Sequence, residues 1–223
     1  MTGNDRAGHS RRAYLAGAGA TALASVAGCL DFITGGPAEF SASPSQVPES
    51  TLGETGYELE GVSDQEIERE FEAGGESRTV IVTNKIAEHT KSVQLPGLGS
   101  DGKAAIFTAL TTPQVEILGQ SFNPVEDMSA RRIARMVQKQ YDSVAAPSQE
   151  SESTVTINGE ETTQTKFRAD AQFEGSTVEL FLHITEAVEL GSDFLITVGG
   201  YPTVLSGEEE NILQMMQAVE EGE

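Results

Sequence analysis

Tryptophan is absent from this chain of 223 residues, aromatic side chains make up only 6% of it, and one cysteine, Cys29, stands alone. A lone cysteine closes no intramolecular disulfide and builds neither a cysteine-based zinc site nor a nucleophile pair. Bases are scarce as well: 14 Lys and Arg face 35 Asp and Glu, for a net charge of −21. Phosphate neutralisation needs the opposite sign, which excludes nucleic acid as a partner. Neither H-E-x-x-H nor G-x-S-x-G occurs, so the signatures of a zinc protease and of a serine hydrolase are missing. The N-terminal apolar stretch covers only residues 15–27. About 20 apolar residues are needed to cross the hydrocarbon core, so it falls short of a span.

What surrounds that stretch gives it a different meaning. Gly17, Gly19 and Gly28 weaken any helix there, by roughly 1 kcal/mol each relative to alanine. A charged beginning, a short apolar middle and small residues before a processing point are the layout of a secretory signal. The run Ser10, Arg11, Arg12, Ala13, Tyr14, Leu15 resembles the twin-arginine export motif, whose paired guanidinium groups are read by a receptor. Val26, Ala27, Gly28 and Cys29 resemble a lipobox, in which the cysteine sulfur takes the lipid. The expected organisation is a cleaved signal over residues 1–28, lipidated Cys29 heading a tether over residues 29–55, and one domain over residues 56–223. Gly35, Gly36, Pro37, Ser41, Ser43, Pro44, Ser45 and Pro48 account for the tether, since such composition makes a solvated linker. Two acyl chains on one residue suffice for stable anchoring to the membrane.

Removing the leader takes away Asp5 and three arginines, leaving 34 acids, 11 bases and a net charge of −23. Repulsion among so many carboxylates opposes compaction at ordinary ionic strength, but at about 1 M salt the Debye length is roughly 3 Å and most of it is screened. The acidic composition therefore points to concentrated salt. Together, the twin-arginine motif, the lipobox, the Gly/Ser/Pro tether and the acidic domain resemble a haloarchaeal surface lipoprotein. From Tyr57 onward the chain is similar to a family of uncharacterised haloarchaeal lipoproteins carrying a domain of unknown function. That resemblance implies location and habitat and carries over no active site.

Periodicity beyond residue 56 predicts an α+β domain with an antiparallel sheet of about six to eight strands, built from hairpins and a C-terminal meander. EIEREFEA, residues 66–73, places Ile67, Arg69 and Phe71 on one face and Glu66, Glu68, Glu70 and Glu72 on the other, the period of a half-buried strand. RTVIVTNKIAEHTKSV follows after two glycines and predicts a hairpin. Asn158-Gly159 lies between extended arms and marks another. Residues 167–173, a long strand through residues 177–190 and FLITVGG then follow one another through tight turns. Two amphipathic helices are expected to pack on the sheet. One runs from about residue 127 to 141, with Ile133, Met136, Val137, Gln140, Tyr141 and Val144 as its buried stripe. The other starts at Ser206, Gly207, Glu208 and Glu209 with capping-box spacing and buries Ile212, Leu213, Met215, Met216 and Val219. Its acidic end, Glu220, Glu221 and Glu223, meets the negative pole of the helix dipole and is expected to fray. The arrangement resembles the PsbP-like α-β-α fold, and a fold does not determine a function.

Candidate sites are few. Gly97, Gly99 and Gly102 match G-x-G-x-x-G, yet the following KAAIFTALTTPQVEIL reads as extended chain and Asp101 would repel phosphate. A hairpin loop is the expectation there. His89 and His183 have no histidine at ligand spacing and are expected to be surface or half-buried residues rather than metal ligands. No catalytic residue, metal set or cofactor motif emerges. Arg131, Arg132, Arg135 and Lys139, four of the 11 mature bases, gather on one side of the first long helix. They are either a solvated face paired with nearby acids or a docking surface for an acidic protein or anionic headgroups. The sequence thus leads to a lipid-anchored, non-enzymatic surface domain on the outer side of the membrane that binds a protein or a small ligand through its sheet or helix face. The alternatives are an extracytoplasmic enzyme using acid/base carboxylates and a structural envelope component.

Overall fold

A computed structural model describes residues 36–73, 76–94, 101–117, 120–121, 125–140, 144, 147–173 and 176–222. Its centre is a nine-stranded sheet in which β3 (Glu58–Ala73), β4 (Glu76–Gln94), β5 (Asp101–Pro113), β12 (Asp193–Pro202), β10 (Ser176–Thr185), β9 (Glu160–Phe173) and β8 (Ser148–Ile157) succeed one another as antiparallel neighbours. Apart from a separate ribbon of β6 (Glu116–Ile117) and β7 (Gln120–Ser121), two shorter strands fill the edges. β1 (Ala38–Ser41) runs parallel to β4 at residues 80–83, and β11 (Val188–Leu190) pairs with the start of β12. The sheet is therefore mixed, where alternation alone predicted an antiparallel one. Between neighbours in the chain a tight turn permits only antiparallel pairing, whereas β1 reaches β4 from a distant part of the chain.

Several expected hairpins are present. Ile67 lies opposite Val82 in the β3–β4 pair, and Asn158 and Gly159, at φ 50° and 83°, close the β8–β9 turn in the left-handed region that this two-residue loop requires. β8, β9, β10 and β12 form the meander. The expected long strand through residues 177–190 is interrupted at Glu186 and Ala187, although the Glu186 N–H still donates in register to Thr163 O of β9 at 2.9 Å.

Three helices rather than two accompany the sheet among the described residues. α1 (Glu49–Thr55) and α3 (Glu208–Ala218) cover one face; α2 (Ala130–Gln140) covers the other. Alternation along the strands sorts the two cores. Odd-numbered β12 residues such as Leu195 and Tyr201 join Phe107, Ala109, Val155 and Ile157 beneath Ile212, Met215 and Met216 of α3. Even-numbered Leu182, Ile184 and Ile196 join Phe167 and Ala169 against Ile133 and Ala134 of α2. α3 approaches the sheet closely because Gly199 has no side chain: a Cβ there would lie 2.5 Å from Ile212 Cγ2. No helix among the described residues is long and apolar enough to cross a membrane.

Three local expectations are corrected. The tether does not extend to residue 55, since β1, β2 (Ser45–Gln46) and α1 occupy residues 38–55 and bury Ala38, Ala42, Val47 and Thr55. Glycine, serine and proline there break helices and turn the chain without preventing it from packing. α3 has no capping box: Gly207, at φ 87°, precedes it and no side chain caps its first turn. Its acidic end is not frayed either. Val219 is buried, β13 (Glu220–Glu221) pairs with β2, and the Gly222 N–H donates to Pro44 O at 2.8 Å. A backbone ladder outweighs a dipole effect of about 0.3–1 kcal/mol. Glu223 lies outside the described residues.

Candidate functional site

Ser129 leads into α2, its carbonyl accepting the N–H groups of Arg132 and Ile133 at 2.8 and 3.1 Å. Ala130, Ile133 and Ala134 are buried against β9 and β10. At about 100° per residue, Arg131, Arg135, Lys139 and Arg132 fall within an arc of roughly 100° on the opposite side. Arg131, Arg132 and Arg135 are exposed; the side chain of Lys139 lies outside the described residues. Met136, expected in the buried stripe, is 53% exposed, because it sits beside the cationic arc rather than over the sheet. Tyr141, Gln140's side chain and the chain between residues 141 and 143 are outside the described residues, and Val144 forms an isolated bridge to Ala171.

Two physical facts set this face apart. Arg131 and Arg132 occupy the first turn of α2, at the positive pole of the helix dipole, with no acid in that turn. Cations are disfavoured there, so helix stability does not account for them. The second fact is the lack of partners. Arg131 Nη2 donates to Gln149 Oε1, and neither Arg132 nor Arg135 meets a carboxylate among the described residues.

Among the described residues, four cations elsewhere meet carboxylates within the molecule, whereas exposed Arg69 of β3 donates only to the Glu68 carbonyl. Lys91 Nζ donates to Glu208 Oε1 while Tyr57 Oη donates to Glu208 Oε2 at 3.2 Å, which ties β4, the start of β3 and the first turn of α3 together. Burial, together with the Glu208 carboxylate, pushes the Tyr57 hydroxyl far above its usual range, so it remains a donor. Lys166 reaches Glu209 at 2.6 Å with its ammonium 4.0 Å from the centre of the Phe181 ring. Arg168 spans Glu150 at 2.7 Å and Glu179 at 2.5 Å, and its guanidinium lies 4.9 Å from the same ring. Lys85 meets Asp64 at 2.7 Å.

Both histidines differ from expectation in one respect: they are completely buried. His89 Nε2 accepts the Val47 N–H at 3.4 Å, so Nδ1 carries the proton and donates to Phe107 O at 3.2 Å. At His183, Ser153 Oγ donates to Gln164 Oε1 at 2.8 Å, Gln164 Nε2 donates to Nδ1 at 3.1 Å, and Nε2–H donates to Tyr201 Oη at 3.1 Å. Burial lowers the affinity of both rings for a second proton, His183 down to about 4. They are neutral, saturated parts of the core and present no reactive nitrogen to solvent. The available sign of its burial was the apolar character of both faces of this strand, Phe181 on the side of His183 and Leu182 and Ile184 on the other. Among the described residues no group of three or more His, Cys, Asp or Glu is placed to hold a metal ion.

Gly97 and Gly99 lie outside the described residues. Gly102 is in β5, opposite Val93, so a strand and not a phosphate-binding helix follows the glycines. Cys29, Arg11, Arg12, Val26, Ala27 and Gly28 also lie outside the described residues. The structure gathers Arg131, Arg132 and Arg135 on one exposed helix face, and Lys139 follows at the same spacing along α2.

The profile of a domain of unknown function, DUF6517, matches residues 44–220. That match begins at Pro44, well inside the stretch assigned to the tether by composition. No curated protein matches the chain.

Proposed function

The chain belongs to the DUF6517 family, a family of unknown function, and from that premise we propose a lipid-anchored, extracytoplasmic binding domain that docks an acidic surface through α2 and catalyses no reaction. In this reading residues 1–28 leave after twin-arginine export, Cys29 carries the lipid, and the chain up to Ala38 links it to the sheet. The acidic composition and the N-terminal motifs support a haloarchaeal surface lipoprotein suited to concentrated salt, and helices on both faces of the sheet support a PsbP-like α-β-α arrangement.

The observation that carries the reading is the cationic face of α2. Arg131 and Arg132 oppose the helix dipole, Arg132 and Arg135 lack carboxylate partners, and the molecule around them is strongly negative. A neutral, hydrogen-bonded interior at both histidines further supports binding over acid/base catalysis.

Reversing the charges with Arg131→Glu, Arg135→Glu and Lys139→Glu is expected to abolish recovery of the partner in crosslinking pull-downs from envelope fractions. Unchanged recovery would overturn the docking reading. Separately, Cys29→Ala is expected to move the protein from the membrane fraction to the medium, and its retention on membranes would remove the lipid anchor.

A further inference from the structure

The acidic counterpart of the α2 face is present on the chain itself. Glu66, Glu68, Glu70 and Glu72 of β3 share one face and are exposed. They stand opposite Thr83, Ile81, Thr79 and Ser77 of β4, none of them charged, and meet no cation among the described residues. The outer end of this β3–β4 ribbon, with Glu70 and Glu72 opposite Thr79 and Ser77, projects past the neighbouring strands, because β5 pairs with β4 only from Lys85 onward and β1 flanks it at residues 80–83, opposite Glu66 and Glu68. Four like charges at alternate positions of a strand repel one another, just as two arginines repel the positive pole of a helix. Each surface carries a charge that its own neighbourhood leaves uncompensated.

Their spacing matches. Arg131, Arg135 and Lys139 advance by about 6 Å per step along α2, and alternate residues of β3 advance by roughly 6.6–6.8 Å. Long side chains absorb a mismatch of under about 1 Å per step. The two surfaces cannot meet within one molecule. α2 packs on β9 and β10, separated from β3 by β12, β5 and β4, and it lies on the opposite face of the sheet from the glutamate row.

We propose that the α2 face of one copy docks on the Glu66–Glu72 row of a second copy, giving head-to-tail association in which molecules overlap like roof tiles. This rests on the docking reading above and names its partner as the same chain. The contact is heterologous, so it propagates into a ring or an open row rather than closing as a two-fold dimer. Exposed ion pairs are individually weak, and holding many copies on one membrane raises their effective concentration.

The test is sedimentation equilibrium of the full chain at about 1 M salt, where a Debye length of roughly 3 Å screens the repulsion within and between whole molecules and leaves only groups in direct contact attractive. The intact protein is expected to self-associate as concentration rises. The triple variants R131E/R132E/R135E and E66K/E68K/E70K are each expected to lose self-association at least tenfold, and an equimolar mixture to regain it, since each variant offers the surface that the other lacks. All samples share the apolar N-terminus, so differences among them report the charged faces. Recovery in the mixture also shows that both variants are folded. A protein monomeric at every concentration, variants that associate as the intact chain does, or a mixture that stays dissociated would overturn the proposal. If the pull-down partner is lost on reversing α2 while sedimentation is unchanged, the docking reading stands and the second copy is excluded.

Discussion

The two faces of the sheet carry the same kind of side chain under opposite circumstances. Beneath α1 and α3, lysine and arginine are drawn into the structure: Lys91 is clamped with Tyr57 on Glu208, and Lys166 and Arg168 lie over Phe181 with acids at their ends. Under α2 only small and aliphatic residues meet the sheet, and the arginines are turned to solvent. Among the described cations, those on the first face meet carboxylates and those of α2 do not. One face holds its cations within the molecule and the other leaves its arginines to solvent, which is why their variants are expected to differ in kind.

The largest separation between the faces should appear on truncating the core of the first. Met215→Ala removes a fully buried side chain between α3 and the sheet and is expected to cost about 2–5 kcal/mol by chemical denaturation. The equivalent truncation at Met136, exposed on α2, is expected to be nearly neutral. Equal losses would erase the distinction.

Acid comes next. Because burial lowers the pKa of His183 from 6.5 to about 4, and that of His89 in the same direction, protonation favours the unfolded chain. The stability they contribute is complete above pH 6.5 and is lost as the pH falls towards 4, by about 3 kcal/mol for His183. Asp193 acts in the opposite sense, since burial raises its pKa and its contribution is lost as the pH rises through the carboxylate range. Melting temperatures measured from pH 7 to 4 should fall, and His183→Gln should flatten the curve even if it lowers stability at pH 7.

A smaller effect is expected at Glu208. Glu208→Gln leaves Lys91 without its carboxylate and weakens the Tyr57 contact, for roughly 1–3 kcal/mol by denaturation. Because Lys91 is partly exposed, water recovers some of the loss. The smallest effect belongs to α2: Arg132→Ala with Arg135→Ala should change stability by less than about 0.5 kcal/mol while reducing partner capture. A large loss of stability there would make the cationic face structural and end the contrast.

Much of the sheet was legible in the residues. The strand and hairpin of EIEREFEA, the Asn158-Gly159 turn and the order of the last strands each depend on a few neighbours, and each is present, although Arg69 on the expected inner face is exposed. The α2 arc was legible too, because a helix converts spacing into sides. Met136 was misplaced because the buried stripe is narrower than its apolar residues suggest. Residues 38–55 were misread for another reason: they are short, rich in breakers and without internal period, and they are ordered by distant strands.

By itself, the sequence determined the local geometry of the hairpins, the amphipathic sides of α2 and the excess of negative charge, all of which depend on residues close together in the chain. Only the tertiary structure decided that β1 lies parallel to β4, that the acidic C-terminal end joins β2, that both histidines are sealed and that Glu208 secures Lys91 and Tyr57. Those outcomes depend on which strand edge is open and which face is already covered. Such vacancies exist only once distant segments have been brought together, and no window of sequence contains them.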